Sequence, residues 1–229
     1  MKSNLFLLLT LQQKLAFSSQ KGLTLIESLA ALVISTVLLT AIAPPILFSA
    51  ATRIQARNTE QAQAVAIQQL DRVRAILTRD GKIKESKFPP ESSIYPLSDT
   101  TAPSNLVNKL SDLNNVNQAF KVDTDSDGTN DFFVQLIRDK GVCFNSGRFN
   151  GTLAVFGIGV RVYDIAAKTN LGSLKTEPAS LQPRKGLGQR TTNPLAVTYS
   201  VLSRSDTQGS RTAYQQYLDS SGGSDKNCS

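Results

Sequence analysis

A long stretch without charge is the feature that most limits what this chain can become. No acidic or basic residue occurs between Ser28 and Thr52, and most side chains in that stretch are apolar. A helix of this length, at about 1.5 Å per residue, spans roughly 37 Å, whereas the hydrocarbon core of a bilayer measures about 30 Å. The alternative is a helix buried in a soluble core, but such helices seldom run this far without a charge. The stretch therefore predicts a membrane-spanning helix.

The segment before this stretch is basic. Met1–Gly22 contains lysines and no acidic residue. A basic flank stays in the cytoplasm, so the chain from Arg53 onward should lie on the outer side of the cytoplasmic membrane. The first residues also have the features of a short secretory signal peptide, with an apolar run followed by Ala16 and Ser18. That alternative predicts a mature protein that begins at Ser19.

Composition excludes several kinds of catalyst. The chain has no His, no Trp and two Cys. Without His there is no Ser-His-Asp or Cys-His nucleophile and no His-ligated metal, and two Cys cannot form a zinc finger or an iron–sulfur cluster. A membrane-anchored enzyme would have to rely on Asp, Glu, Lys, Ser or Tyr, and no recognisable spacing of these occurs. We expect a protein that is not an enzyme.

Beyond Arg53 the pattern becomes that of an amphipathic helix. Apolar residues at helical spacing form one face, namely Ala62, Ala66, Leu70, Val73 and Leu77. Polar residues form the other face, namely Arg57, Glu60, Gln61, Gln68, Asp71 and Arg72. We expect the apolar face to pack on a globular head, although a coiled-coil seam shows a similar pattern.

The two helical patterns join into one long helix, from Leu23 to about Arg79, with Gly81 as its C-cap. Pro44 and Pro45 each remove a backbone donor, so we expect the helix to be bent at that point.

The rest of the chain predicts a β-rich head. Residues 82–105 are rich in Pro, Ser and Thr and form an irregular connection. Three β-prone segments follow, Phe132–Arg138, Leu153–Tyr163 and Leu195–Leu202. A long helix followed by an antiparallel sheet is an α+β fold.

An Asp-rich segment between the connection and the strands resembles the first part of an EF-hand loop. Its candidate ligands are the carboxylates of Asp123, Asp125, Asp127 and Asp131 and the carbonyl of Thr129. Gly128 takes the position of the sharp turn, but Val134 stands where an EF-hand has its bidentate Glu. We expect a structural Ca²⁺ and no organic cofactor. The alternative is an acidic turn without a metal.

Gly22 and the sequence after it, from Leu23 through Glu27 into the apolar helix, resemble the prepilin signal of type IV pilins and pseudopilins. That signal usually has Phe where this chain has Leu23. The resemblance implies that a prepilin peptidase cuts between Gly22 and Leu23 and that Leu23 becomes N-methylated. It also implies that Glu27 directs filament assembly by pairing with the new amino group of a neighbouring subunit. The alternative is that Glu27 lies in the lipid headgroup zone. Pro44 matches the proline kink that is common in pilin helices.

The resemblance implies a pilin-like fold with four segments. Residues 1–22 are a leader that is removed, 23–52 are the transmembrane and filament-core half of the helix, 53–81 are its amphipathic half, and 82–229 are the head. The implied partners are other pilins or pseudopilins, the prepilin peptidase, the inner-membrane assembly platform and the membrane. The subunit would cross the cytoplasmic membrane once with its head in the periplasm, and would then enter a pilus or pseudopilus.

Several segments are similar to a narrower family, the pseudopilins of hormogonium polysaccharide secretion in filamentous cyanobacteria. They are residues 43–46, 51–55, 69–74, 125–133, 159–164, 176–181 and 194–197. This resemblance implies a minor filament subunit that supports polysaccharide secretion and gliding motility.

A DNA-uptake or adhesive minor pilin is the alternative function. Loss of the three leader lysines lowers the formal net charge from +7 to +4. Basic residues remain scattered near the C-terminus, namely Arg184, Lys185, Arg190, Arg204 and Arg211. They could contact phosphates, but aromatic residues do not alternate with them as in single-strand binding sites, so we do not expect a nucleic-acid partner.

Both cysteines fall on the outer, oxidising side of the membrane. A bond between Cys143 and Cys228 would tie the C-terminal tail to the head, as C-terminal disulfides do in many pilins. Two unpaired thiols are the alternative.

Overall fold

The computed structural model describes residues 24–180, 188–204 and 209–220, apart from the side chains of 41–48. The chain divides after Ser49 into two compact units. Helix α1, Leu25–Leu77, begins in the first unit and ends in the second. It is assigned as helix through Pro44 and Pro45, and the predicted bend there stays a prediction.

The amphipathic part of α1 packs as predicted in the second unit. All five predicted apolar positions, from Ala62 to Leu77, are buried in the main core, together with Val65. All six predicted polar positions are exposed. The helix ends two residues earlier than expected, and Gly81 has a φ of +103°, a conformation that favours glycine over residues with a Cβ.

A six-stranded sheet forms the centre of this unit. Its strands are β1 Asn105–Val107, β2 Gln118–Val122, β3 Phe132–Arg138, β4 Val142–Cys143, β5 Leu153–Asp164 and β6 Ala196–Ser203. The order is β1-β2-β3-β5-β4, and β6 pairs with β5. The prediction of an antiparallel sheet was wrong in one respect, because β1 pairs with β2 in parallel. A second helix, α2, spans Ser210–Asp219.

A different helix packs on each face of the sheet. One face joins the main core with α1, through residues such as Phe156, Ile158 and Val160. On the other face, α2 packs beside β4 and β5 through Ala213 and Tyr217.

The proline-rich connection packs on the head because a buried arginine holds it. The guanidinium of Arg161 is fully buried and donates to the carbonyl oxygens of Leu97 at 3.0 Å and Thr100 at 2.7 Å. Charged donors to buried carbonyls make strong hydrogen bonds, so this contact fixes residues 97–100 against β5.

Candidate functional site

The start of α1 carries the predicted assembly residue in a capped first turn. The backbone N–H of Glu27 donates to the side-chain oxygen of Thr24 at 3.3 Å and to its carbonyl oxygen at 3.0 Å. Thr followed three residues later by Glu is the sequence of a capping box, in which a carboxylate is also favoured by the helix dipole. Glu27 is exposed. Gly22 and Leu23, the predicted cleavage and methylation residues, lie outside the described residues.

The first turns of α1 expose an apolar surface that has no counterpart elsewhere in the described residues. Between Leu25 and Leu39, nine large apolar side chains are each 51% to 84% exposed. Monomeric soluble proteins rarely expose a continuous apolar surface, so these side chains call for an apolar environment or a partner.

The hydroxyl groups on this surface are already satisfied within the helix. Ser35 donates to the carbonyl of Ala31 at 2.7 Å, and Thr36 donates to that of Val33 at 2.8 Å. Such bonds remove the need for water at these hydroxyls, so the whole surface is compatible with an apolar environment. Reading the sequence residue by residue did not reveal this, although each of these hydroxyls is three or four positions after its acceptor.

Among the residues that the structure describes, no helix combines the length and the apolarity that crossing a membrane requires.

The Asp-rich segment is the connection between two antiparallel strands. It begins after Val122 at the end of β2 and ends before Phe132 at the start of β3, and these two residues pair across the ladder. Gly128 has a φ of +89°, as expected at the sharp turn, and Ser126 also has a positive φ, 62°. A positive φ is uncommon for Ser, so the loop is tightly wound.

Three of the predicted carboxylates converge. Carboxylate oxygens of Asp123, Asp125 and Asp131 all lie within 4.8 Å of one another. Asp127 is not part of this group, and its Oδ1 accepts from the backbone N–H of Thr129 at 2.7 Å and from its hydroxyl at 2.5 Å. The sequence motif thus identified the loop and three carboxylates that converge, but it also included Asp127, which does not join them.

The pKa values in the loop reflect this arrangement. The backbone N–H of Asp127 lowers the pKa of Asp125, but desolvation and the charges of Asp127, Asp131 and Asp123 outweigh it, and the pKa is raised above its ordinary value. Hydrogen bonds from the side chain and backbone of Thr129 lower the pKa of Asp127. Proximity of negative charges at Asp125 is the condition that a bound cation relieves.

The structure describes one of the two cysteines of the predicted disulfide. Cys143 is buried and disulfide-bonded, and the second cysteine of the sequence, Cys228, lies outside the described residues.

The three C-terminal basic residues that the structure describes have different surroundings. Arg204 is buried with its guanidinium 3.8 Å from the centre of the Phe149 ring. Arg190 donates to Asp164 at 2.5 Å, and Arg211 is exposed on α2. Arg184 and Lys185 lie outside the described residues. Two of these cations are therefore engaged within the head.

One family comparison bears on the start of the chain. Residues 17–43 match the prokaryotic N-terminal methylation motif, a range that includes Gly22, Leu23 and Glu27. No curated protein and no solved structure matches the chain. The motif supports a type IV pilin-like or pseudopilin-like subunit that a prepilin peptidase processes, that is methylated, and that assembles with other pilins. Proteins with this motif are typically structural rather than enzymatic.

Proposed function

We propose that the protein is a minor pilin or pseudopilin subunit of a filament that supports polysaccharide secretion and gliding motility. The observation that carries the assembly role is the exposed apolar surface of α1 from Leu25 to Leu39, with Glu27 in its first turn. In the membrane before assembly, and among neighbouring helices afterwards, this surface loses its contact with water. The narrower role in polysaccharide secretion is supported by the segment resemblances described above.

Glu27 would act as a register device. A carboxylate in an apolar environment costs at least about 2.5 kcal/mol unless it is paired. The methylated amino group of Leu23 in a neighbouring subunit is a cation that could pair with it. Because only one stagger between subunits brings the two charges together, the pair would select that stagger.

The experiment is a comparison of Glu27→Ala with Glu60→Ala, since Glu60 is an exposed glutamate further along the same helix. Both variants should still be cleaved after Gly22. Glu27→Ala should lower the amount of subunit in sheared surface filaments at least about tenfold, because about 1.4 kcal/mol corresponds to a factor of ten. Glu60→Ala should assemble normally. Normal assembly of Glu27→Ala contradicts the proposal.

The secretion role is tested with cells that lack the subunit. They should lose surface polysaccharide and gliding, and the wild-type gene should restore both. Normal secretion in cells that lack the subunit would leave the assembly role intact and overturn the secretion role.

For the Asp-rich loop we propose a structural Ca²⁺ held by the carboxylates of Asp123, Asp125 and Asp131. The carbonyl oxygen of Thr129 would be a further ligand. The carboxylate of Asp127 would also bind the ion if its hydrogen bonds from Thr129 open. Calorimetric titration should show Ca²⁺ binding that Asp125→Ala abolishes and that Asp127→Ala weakens less. Asp112→Ala, which removes an exposed acid outside the loop, should bind like the wild type. Absence of binding by the wild type contradicts the metal site.

We also propose that Cys143 pairs with Cys228 and so ties the C-terminal tail to the head. On the chain-entropy model, a bond that closes a loop this long stabilises by about 4–5 kcal/mol. Non-reducing peptide mapping should recover one cross-linked pair of peptides that contains both cysteines. Two free thiols in the secreted form contradict the pairing.

Nucleic-acid binding is less well supported than assembly. Arg204 is buried, and Arg190, although partly exposed, is paired with Asp164, so fewer cations are available to phosphates than the sequence suggested. An adhesive role is not affected by this observation.

A further inference from the structure

A cavity of about 430 Å³ opens on the face of the sheet that is opposite α1. It lies entirely within the second unit, between the connection at Tyr95–Ser98, the end of α2 and the neighbouring strands β5 and β6. Three of the chain's five tyrosines line it: Tyr95, Tyr199 and Tyr217. Small-molecule sites typically have this size and combine apolar walls with a few polar groups.

Gly157 of β5 lets Asp139 and Tyr217 pack directly against the strand at the wall of the cavity. A Cβ built on Gly157 would lie 2.5 Å from Oδ2 of Asp139 and 2.7 Å from the hydroxyl of Tyr217. Any larger residue would therefore displace the carboxylate or the tyrosine hydroxyl from the cavity wall. The carboxylate itself accepts from the backbone N–H of Gly157 at 2.9 Å and from the Tyr217 hydroxyl at 2.6 Å.

The polar atoms around the cavity include both donors and acceptors. Besides the two hydrogen bonds above, the Asp139 carboxylate accepts one from the backbone of Gly141. Because a carboxylate has about four acceptor positions, one position remains for a ligand. Tyr217 donates its proton to Asp139 and can still accept. The Tyr199 hydroxyl accepts from Nε of Arg161 at 3.0 Å and can still donate.

The tyrosine rings at the opening are exposed. Tyr95 is 56% exposed and Tyr199 is 42% exposed, and the Tyr199 ring lies across Gly159 of the neighbouring strand. Tyrosine rings that are apolar on the face and polar at the tip suit a ligand that has both C–H surfaces and hydroxyl groups.

The charges next to the cavity favour a neutral ligand over an organic cation. Asp139 is negative, whereas Arg161 lies behind Tyr199, with its guanidinium carbon 5.8 Å from the ring centre. The ring of Tyr199 thus already faces a cation, which weakens the attraction that an aromatic cage would offer to a second one.

We propose that this cavity binds a sugar unit of a neutral polysaccharide, with Tyr95 and Tyr199 against the sugar ring and Asp139, Tyr199 and Tyr217 bonded to its hydroxyls. The binding site stands on its own geometry, and only the identification of its ligand with the exported polymer rests on the proposed function.

The test is a titration of the full chain in a polyoxyethylene detergent, which contains no sugar. The chain has no Trp, so its fluorescence reports tyrosine. The probes are cellotriose, maltotriose, xylotriose and mannotriose, with choline chloride and trigalacturonic acid as charged controls. At least one neutral trisaccharide should change the fluorescence saturably and should give saturation-transfer NMR signals.

The variants separate the cavity from the surrounding surface. Val201→Lys, at an exposed lining position, and Tyr95→Ala should each weaken binding about tenfold. Tyr214→Ala, which removes an exposed tyrosine of α2 that does not line the cavity, should bind like the wild type. Circular dichroism identifies any variant that fails to fold, and Val201→Lys then decides alone if Tyr95→Ala is lost.

The proposal is overturned if no neutral trisaccharide binds, if choline binds more tightly than every trisaccharide, or if all variants bind as tightly as the wild type. It is also overturned if the fluorescence changes with protein concentration and not with sugar concentration, because the cavity would then be an interface between copies of the chain. Filament assembly should be normal in Val201→Lys and saccharide binding normal in Glu27→Ala. The two proposals can therefore fail separately.

Discussion

The two ends of helix α1 both carry apolar side chains but put them to different uses. Between Ala62 and Leu77 the apolar residues of one face form a stripe that is buried in the main core, whereas Ile67, on another face, is 54% exposed. From Leu25 to Leu39 they surround the helix, and they are exposed in the isolated chain. The stripe stabilises the head within one molecule, whereas the surrounding surface requires a membrane or other subunits. The helix therefore packs within the head at one end, and we propose that its other end packs against a membrane or other subunits.

The largest expected difference between the two ends is in stability. Leu77→Ala should lower the free energy of unfolding of the head by about 2–5 kcal/mol, because Leu77 is almost fully buried and its loss leaves a cavity. Leu32→Ala should change it by less than about 0.5 kcal/mol, because Leu32 is exposed. Urea unfolding followed by tyrosine fluorescence measures both. Equal effects of the two substitutions would show that the two ends of α1 do not differ in their contribution to the stability of the head.

A buried polar residue within the stripe gives the next largest effect. Gln69 is buried, and its side-chain oxygen has no hydrogen-bond partner among the described residues. Gln69→Leu should therefore raise the free energy of unfolding by about 1 kcal/mol, since an unsatisfied buried acceptor costs about that much. The exposed neighbour Gln68 supplies the control, and Gln68→Leu should be neutral. A less stable Gln69→Leu protein would show that this oxygen is satisfied in solution.

The head also contains a buried acid whose effect depends on pH. Burial raises the pKa of Asp139, although hydrogen bonds from Tyr217, Gly157 and Gly141 and the charge of Arg138 act in the opposite direction. A carboxyl whose pKa is higher in the folded state adds stability below its unfolded pKa, about 3.9, and that stability is lost as the pH rises through the folded pKa. Asp139→Asn should therefore remove part of the decline in stability above about pH 4. If the free energy of unfolding depends on pH in the same way for Asp139→Asn and for the wild type, Asp139 is not the source of the decline.

The smallest effect is expected on the solvent side of the same helix. Arg74 pairs with Asp71 at 2.8 Å, but both side chains are more than half exposed. Arg74→Ala should cost less than about 0.5 kcal/mol, because exposed pairs are screened by water and salt. A loss of more than 1 kcal/mol would mean that this face also packs against something.

The sequence predicted those parts of the fold that have long, regular patterns. The buried stripe of α1 and strands β3 and β5 were found because each contains an extended apolar run or a helical spacing. Strands β1, β2 and β4 were missed because they are short and have no such run. The parallel pairing of β1 with β2 depends on the turn around Leu110–Asp112, and no local pattern indicates it.

The candidate sites also differ in how far the sequence predicts them. The Asp-rich loop is one continuous segment, so the spacing of its residues identified three carboxylates that do converge. The spacing could not show that Asp127 accepts hydrogen bonds from Thr129 and does not join them. The tyrosine-walled cavity combines Tyr95, Tyr199 and Tyr217, which the fold brings together from distant parts of the chain. No spacing rule identifies a set of this kind before the sheet topology is known.

The proposed assembly role requires cleavage after Gly22, so that the apolar start of α1 follows a new N-terminus at Leu23. The most direct test is mass spectrometry of the subunit's N-terminal peptide, recovered from sheared surface filaments. We expect a peptide that begins at Leu23 and carries one N-methyl group. A mature chain that begins at Ser19, or a subunit that never enters the filament fraction, would contradict it.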